Sequence, residues 1–78
     1  MLKPDKHTDP KLTVVFVAGN IVGNLNKYDV LSYDDLLGVL VSDISEKVKT
    51  IFQYALSFLY ITGKIEYLID IDGFRLIR

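Results

Sequence analysis

The stretch LTVVFVAGNIVGNLN, residues 12–26, carries no charged side chain. A membrane span needs about 20 consecutive apolar residues. This run is shorter, and Asn20, Asn24 and Asn26 interrupt it. Its first half suits a β-strand, but the glycines and asparagines of AGNIVGN do not. Wound at roughly 100° per residue, the run resolves into faces. Thr13, Asn20 and Asn24 form one narrow polar stripe, and Val14, Ala18, Ile21, Val22 and Leu25 lie opposite. Leu12, Phe16, Gly19 and Gly23 make a third strip. The pattern predicts a helix over 12–26. Each glycine costs a helix about 1 kcal/mol against alanine, so their one-turn spacing asks for a reason. Either another helix of the same domain crosses closely there, or the strip is an uncharged contact face for another protein.

The remaining pattern alternates elements. Residues 1–11 hold Pro4, Pro10 and charges of both signs, and read as an extended arm. The segment NKYDV ends the first helix and predicts a short strand at 29–31. LSYDDLLGVLVSDI reads as a second helix. Ser32 supplies an N-cap with Asp35 three positions on, Leu31 and Leu36 are spaced for a hydrophobic staple, and Asp34 and Asp35 suit the positive end of the helix dipole. SEKVKTIFQYALSFLYITG reads as a third helix, capped by Asp43 or Ser45 and stopped by Gly63 in a left-handed conformation. Its apolar arc comprises Val48, Ile51, Phe52, Ala55, Leu56, Phe58 and Leu59; Glu46, Lys49, Thr50, Gln53, Ser57 and Tyr60 face away. KIEYLIDIDGFRLIR predicts a β-hairpin turning at Asp72-Gly73 with positive φ at both positions. That register sets Ile71 against Phe74, Asp70 against Arg75 as a charge pair, Ile69 against Leu76 and Leu68 against Ile77. Ile65, Tyr67, Ile69, Ile71, Phe74 and Leu76 then share one apolar face. The order is that of a winged helix-turn-helix: mainly α with a C-terminal β-hairpin (α+β), three helices and a wing, with residues 12–78 as one domain behind the arm.

Composition sharpens this picture. At 78 residues the chain is near the lower limit for a self-sufficient core. Half the residues are hydrophobic, which leaves apolar surface to be covered, and a protein partner is the economical expectation. Net charge is −1, so no basic footprint draws the chain to nucleic acid. There is no cysteine, hence no disulfide framework and no thiolate metal site. MLKPDKHTDPK lacks the apolar centre of a signal peptide, and a cytoplasmic location is expected.

Candidate chemistry is sparse. DIDG, residues 70–73, starts like a calcium loop, but no glutamate stands at the twelfth position; it reads as a hairpin turn. His7 is the single histidine, so neither a metal site nor a serine–histidine pair can be assembled around it. Asp34 and Asp35 are adjacent and diverge on a helix, as dipole partners rather than a catalytic pair. No catalytic residue, metal or cofactor is expected. The start of the third helix offers Glu46, Lys47, Lys49, Thr50, Gln53 and Tyr54 to a DNA groove, with no arginine to read guanine. The layout permits DNA contact, and the charge does not favour it.

PDKH, Pro4 to His7, resembles a Pro-x-Lys-His entry before an uncharged first helix. In FQYALSFLYITGKIE, residues 52–66, Phe52, Ala55, Leu56, Leu59, Tyr60, Gly63 and Ile65 resemble the pattern of the small middle components of ABC-three-component systems. Ser57 departs from it where an acidic residue is expected. The resemblance implies a non-catalytic subunit of a prokaryotic defence complex, acting against phage or plasmids. It would bridge or regulate a Rad50/SMC-like ATPase and an effector such as a nuclease, with DNA contacted only inside the complex and no membrane involved. Two other classes remain open: a free-standing winged-helix DNA-binding regulator, and a small interaction protein of the antitoxin or inhibitor kind. The residues expected to meet partners are Lys6 and His7 in the arm, Asn20 and Asn24 on the uncharged stripe, and Tyr54 and Tyr60 at the edges of the polar arc. Tyrosine offers contact area with a polar tip, and asparagine bonds across an interface without burying charge.

Overall fold

The computed structural model describes residues 12–77. Helix α1 spans Val14–Tyr28. Thr13 is extended and its hydroxyl accepts the Phe16 N–H at 3.1 Å, so this residue caps the helix and does not join the asparagine stripe. The helix runs past the predicted end and stops where Asp29 takes φ 67°, its N–H donating to the Leu25 carbonyl at 2.9 Å. Val17, Ala18, Ile21 and Leu25 form the buried face. Gly19 and Gly23 have open space where a Cβ would stand, with nothing within 4 Å. Close crossing inside the domain is therefore not what these glycines serve.

Strand β1, Val30–Ser32, passes into helix α2, Tyr33–Asp43, without an intervening residue. Ser32 belongs to the strand and caps the helix as expected, its Oγ accepting the Asp35 N–H at 3.1 Å. Leu36 and Leu40 are buried, and Leu31 and Leu37 pack against the same core.

Helix α3, Val48–Ile61, begins later than its expected caps imply. Asp43 is instead the last residue of α2. The Ser45 hydroxyl accepts the Lys47 N–H at 3.3 Å, so it organises the tight turn that leads into α3. The C-terminus follows expectation. Gly63 takes φ +73°; its N–H donates to Tyr60 at 3.1 Å and that of Lys64 to Leu59 at 2.9 Å. This pair of bonds is the Schellman closure, which satisfies carbonyls that a helix end leaves open. Val48, Phe52, Ala55, Leu56 and Leu59 are buried, Ile51 is half-buried, and Phe58 is exposed.

The wing departs furthest from expectation. β2 is Ile65–Leu68 and β3 is Gly73–Leu76, and β1 adds a third strand in the order β1-β3-β2, all antiparallel. Ile65 pairs with Leu76, Glu66 with Arg75, Tyr67 with Phe74 and Leu68 with Gly73. The expected register thus slips by an even number of residues. Ile65, Tyr67, Phe74 and Leu76 keep a common face because side chains alternate with period two. The cross-strand charge pair becomes Arg75 with Glu66, 2.9 Å apart, and not Asp70. Ile69–Ile71 form a short 3₁₀ turn, and Asp72 alone takes the left-handed conformation, at φ 47°. Ile69 and Ile71, expected in the apolar face, are exposed. The cause is tertiary. The Tyr33 N–H at the start of α2 donates to the Asp72 carbonyl at 2.7 Å. β1 ends opposite Gly73, so beyond that point no third strand or helix covers the hairpin.

The layout is α+β and winged-helix-like: three helices beside a three-stranded sheet made of β1 and the C-terminal hairpin. An aromatic chain joins the layers. Tyr33 meets the edge of Phe52 at 5.1 Å and lies 6.4 Å from Phe74, which lies 5.5 Å from Tyr67. Among the described residues no helix is long and apolar enough to cross a membrane.

Candidate partner-docking surface

The C-terminal half of α3 is flanked by two open apolar hollows. On one side a groove of about 500 Å³ separates α3 from α1, lined by Val15, Ala18, Gly19 and Val22 against Phe58, Leu59 and Thr62, with Lys64 at its end. On the other, a hollow of about 360 Å³ lies between α3 and the sheet, lined by Leu56, Ser57, Tyr60, Ile61 and Phe74. Ile61, 82 % exposed, stands on the ridge beside them. The groove exists because α1 presents glycine where a larger side chain would fill it. Exposed apolar surface of this kind is what a protein, ligand or membrane partner would cover.

Tyr54 and Tyr60 are 60 % and 62 % exposed. Six residues apart on one helix, they stand roughly 120° apart around it, one on each side of the outer face. Tyr60 lines the sheet-side hollow. Asn20 and Asn24 lie roughly 100° or more around α1 from Val15 and Gly19, so they do not join the groove. Asn24 Nδ2 donates to the backbone carbonyl of Asn20 at 2.9 Å and to its side-chain oxygen at 2.8 Å. Much of the stripe's hydrogen-bonding capacity is therefore used locally. Lys6 and His7 lie outside the described residues. The fold thus brings the two tyrosines to one helix and leaves the asparagines on another flank.

Val15, Phe58 and Ile61 were not singled out by the sequence pattern as exposed apolar residues. The available signal was the width of the apolar arc on α3. An arc wider than its covering neighbours leaves its edge exposed, and Phe58 is that edge.

Fixed charge around these hollows is modest. Arg75 and Glu66 pair on the outer sheet face, with a second contact from Arg75 Nε to Glu66 Oε1 at 3.0 Å. Lys49 and Glu46 approach to 3.9 Å as an exposed pair beside the start of α3, which offsets part of the positive charge there. Tyr67 donates its hydroxyl proton to Asp72 Oδ1 at 2.6 Å. That hydrogen bond first, then desolvation and the negative charge of Asp72, hold the phenol above its usual value of 10.0. Among the described residues no cluster of histidine, cysteine or acidic side chains is arranged to hold a metal ion.

No curated protein and no solved structure gives a significant match to the chain. A family model does: ABC-three component system Middle Component 8 matches residues 29–77, from the end of α1 through the wing.

Proposed function

The chain belongs to the family of ABC-three component system Middle Component 8, and from that premise we propose that it is a non-catalytic accessory subunit of a cytoplasmic defence complex. In this reading it joins or regulates a Rad50/SMC-like ATPase and an effector such as a nuclease, against phage or plasmid DNA. The family match carries the reading. The apolar hollows beside α3 support it, since a subunit this small has surplus surface that a partner would cover. Residues 12–78 act as one domain and 1–11 as an arm. Lys6, His7, Asn20, Asn24, Tyr54 and Tyr60 are the proposed contact residues. Any DNA contact is confined to the complex, and the isolated chain binds duplex DNA weakly at physiological salt.

Co-expression of the tagged chain with the ATPase and effector proteins of its own locus tests the proposal. Stoichiometric co-purification is the expected result, and its absence with well-expressed partners removes the reading. The contact residues are tested separately by Tyr54→Ala, Tyr60→Ala, Asn24→Asp and deletion of residues 1–8. If all four variants co-purify at wild-type yield, the proposed contacts are wrong while the subunit role stands.

A further inference from the structure

The wing tip presents Ile69 to water and Ile71 with its inner side laid against Gly73 and its outer side open. Ile69 is 79 % exposed and Ile71 is 50 % exposed. Single exposed apolar residues are ordinary on protein surfaces. Here, however, the turn that carries them is fastened by three hydrogen bonds to one residue. Asp72 accepts the Tyr67 hydroxyl at 2.6 Å on its carboxylate and the Tyr33 N–H at 2.7 Å on its carbonyl, and its own N–H donates to the Ile69 carbonyl at 3.4 Å. The Tyr67 ring is in turn seated on buried Phe74. The latch therefore holds Ile69 out from the sheet, and Ile71 is held with its Cδ1 over Gly73 and its other side exposed. A group held in place before contact loses little conformational entropy on binding, which is how a presented anchor gains affinity. The tip is also acidic. Asp70 stands between the isoleucines, Asp72 follows, and the nearest cation along β3, Arg75, is already paired with Glu66.

We propose that the wing tip is a docking knob: Ile69 and Ile71 enter an apolar socket with a lysine or arginine rim on another protein component of the system. The occupant follows from the chemistry of the tip, since two isoleucines need an apolar socket and Asp70 needs a cationic edge. The proposal rests on the subunit reading above. It chooses the wing over the α1–α3 groove because the whole wing lies within residues 29–77, the stretch the family model matches, whereas one wall of the groove, α1, lies outside it.

The test uses the co-expressed complex and four forms of the chain: wild type, Ile69→Ser with Ile71→Ser, Asp70→Lys, and Tyr67→Phe. The isoleucines are outside the core, so the double variant keeps the wild-type melting profile by circular dichroism. Affinity for the co-purifying component falls roughly tenfold or more in the double variant, in line with the loss of two apolar anchors. Asp70→Lys weakens binding and reverses the salt dependence contributed by this site, since like charges then face each other and added salt screens the repulsion. Tyr67→Phe, which frees the latch and leaves the isoleucines in place, weakens it by a smaller factor. Wild-type affinity of the double variant overturns the knob and leaves the subunit role intact. Failure of the wild-type chain to bind any component overturns both. A wild-type chain that is dimeric alone by light scattering, and monomeric as the double variant, means that a second copy fills the role, and the proposal as stated fails.

Discussion

Gly63 and Gly73 stand just outside the two ends of the β2 turn region, and they are glycine for opposite reasons. Gly63 has room and no ordinary backbone: nothing lies within 4 Å of a Cβ placed there, but φ is +73°. Gly73 has an ordinary backbone and no room: a Cβ would stand 2.8 Å from the Leu31 carbonyl oxygen and 3.0 Å from Ile71 Cδ1. The first ends a helix through local hydrogen bonds. The second sits where β1, β2 and β3 meet, paired with both Ser32 and Leu68. A glycine in a sequence thus marks a position and leaves the cause open. Helix ends have a local cause, while the middle of a sheet has one supplied by distant chain.

The largest expected effect is at the crowded site. Gly73→Val should lower stability by about 2–3 kcal/mol, because the obstructing atom is backbone and the strand must shift. A denaturant titration with unchanged slope measures it. An effect below ~0.5 kcal/mol would contradict both this crowding and a two-residue turn at Asp72-Gly73, and would put the turn elsewhere. Next is the helix end. Gly63→Ala should cost about 1 kcal/mol from left-handed strain, and Gly63→Asn should cost less, because asparagine tolerates that conformation. Gly73→Asn should show no such relief over Gly73→Ala. Equal behaviour of asparagine at the two positions would dissolve the contrast.

A smaller effect concerns the latch of the turn. The folded state holds the Tyr67 phenol above its ordinary value. Its proton is therefore lost from the unfolded chain first. The stabilisation is fully present below about pH 10 and is lost as pH rises through the higher folded value. Tyr67→Phe should lower the melting temperature at neutral pH, and the difference from wild type should shrink in strongly alkaline buffer. A constant difference across that range would show that the hydroxyl bond does not govern the turn. The smallest effect separates the two registers. Glu66→Gln should cost less than ~1 kcal/mol, as expected for a surface ion pair, and Asp70→Asn should leave stability unchanged. The reverse order would support pairing of Asp70 with Arg75.

Most of the helical layer was legible from the chain. Ser32 announced the start of α2 and Gly63 the end of α3, since both act within a few residues of themselves. Leu36, Phe52, Ala55 and Leu59 repeat with a period that only a buried helical face explains. The hairpin was legible in its faces and not in its register. Asp72-Gly73 signals a two-residue turn when the two strands decide alone. Here β1 pairs with β3, and the Tyr33 N–H takes the Asp72 carbonyl. Those contacts come from about forty residues upstream, and no local pattern carries them. The exposure of Tyr54 and Tyr60 was legible, since it follows from the polar arc. Asn20 and Asn24 gave their spacing and concealed their hydrogen bonds to each other. Phe58 and Ile61 were hidden because an apolar residue at the edge of an arc looks like core until its neighbour's width is known.

The junction at Ser32 has a mechanical consequence. One residue ends β1 and caps α2, so there is no linker in which the two could pivot. At the other side of the same corner, Asp72 of the wing is bonded to the first backbone N–H of α2. Sheet and helix are joined at two points a few ångströms apart, as a bracket is joined by two pins. A push on the wing tip is then transmitted to the axis of α2 as a rotation and not absorbed by a loop. Between α2 and α3, by contrast, the four residues 44–47 intervene as a hydrogen-bonded turn. Lengthening that segment by glycine would uncouple α3 from the load, whereas the same insertion after Ser32 would break the corner itself.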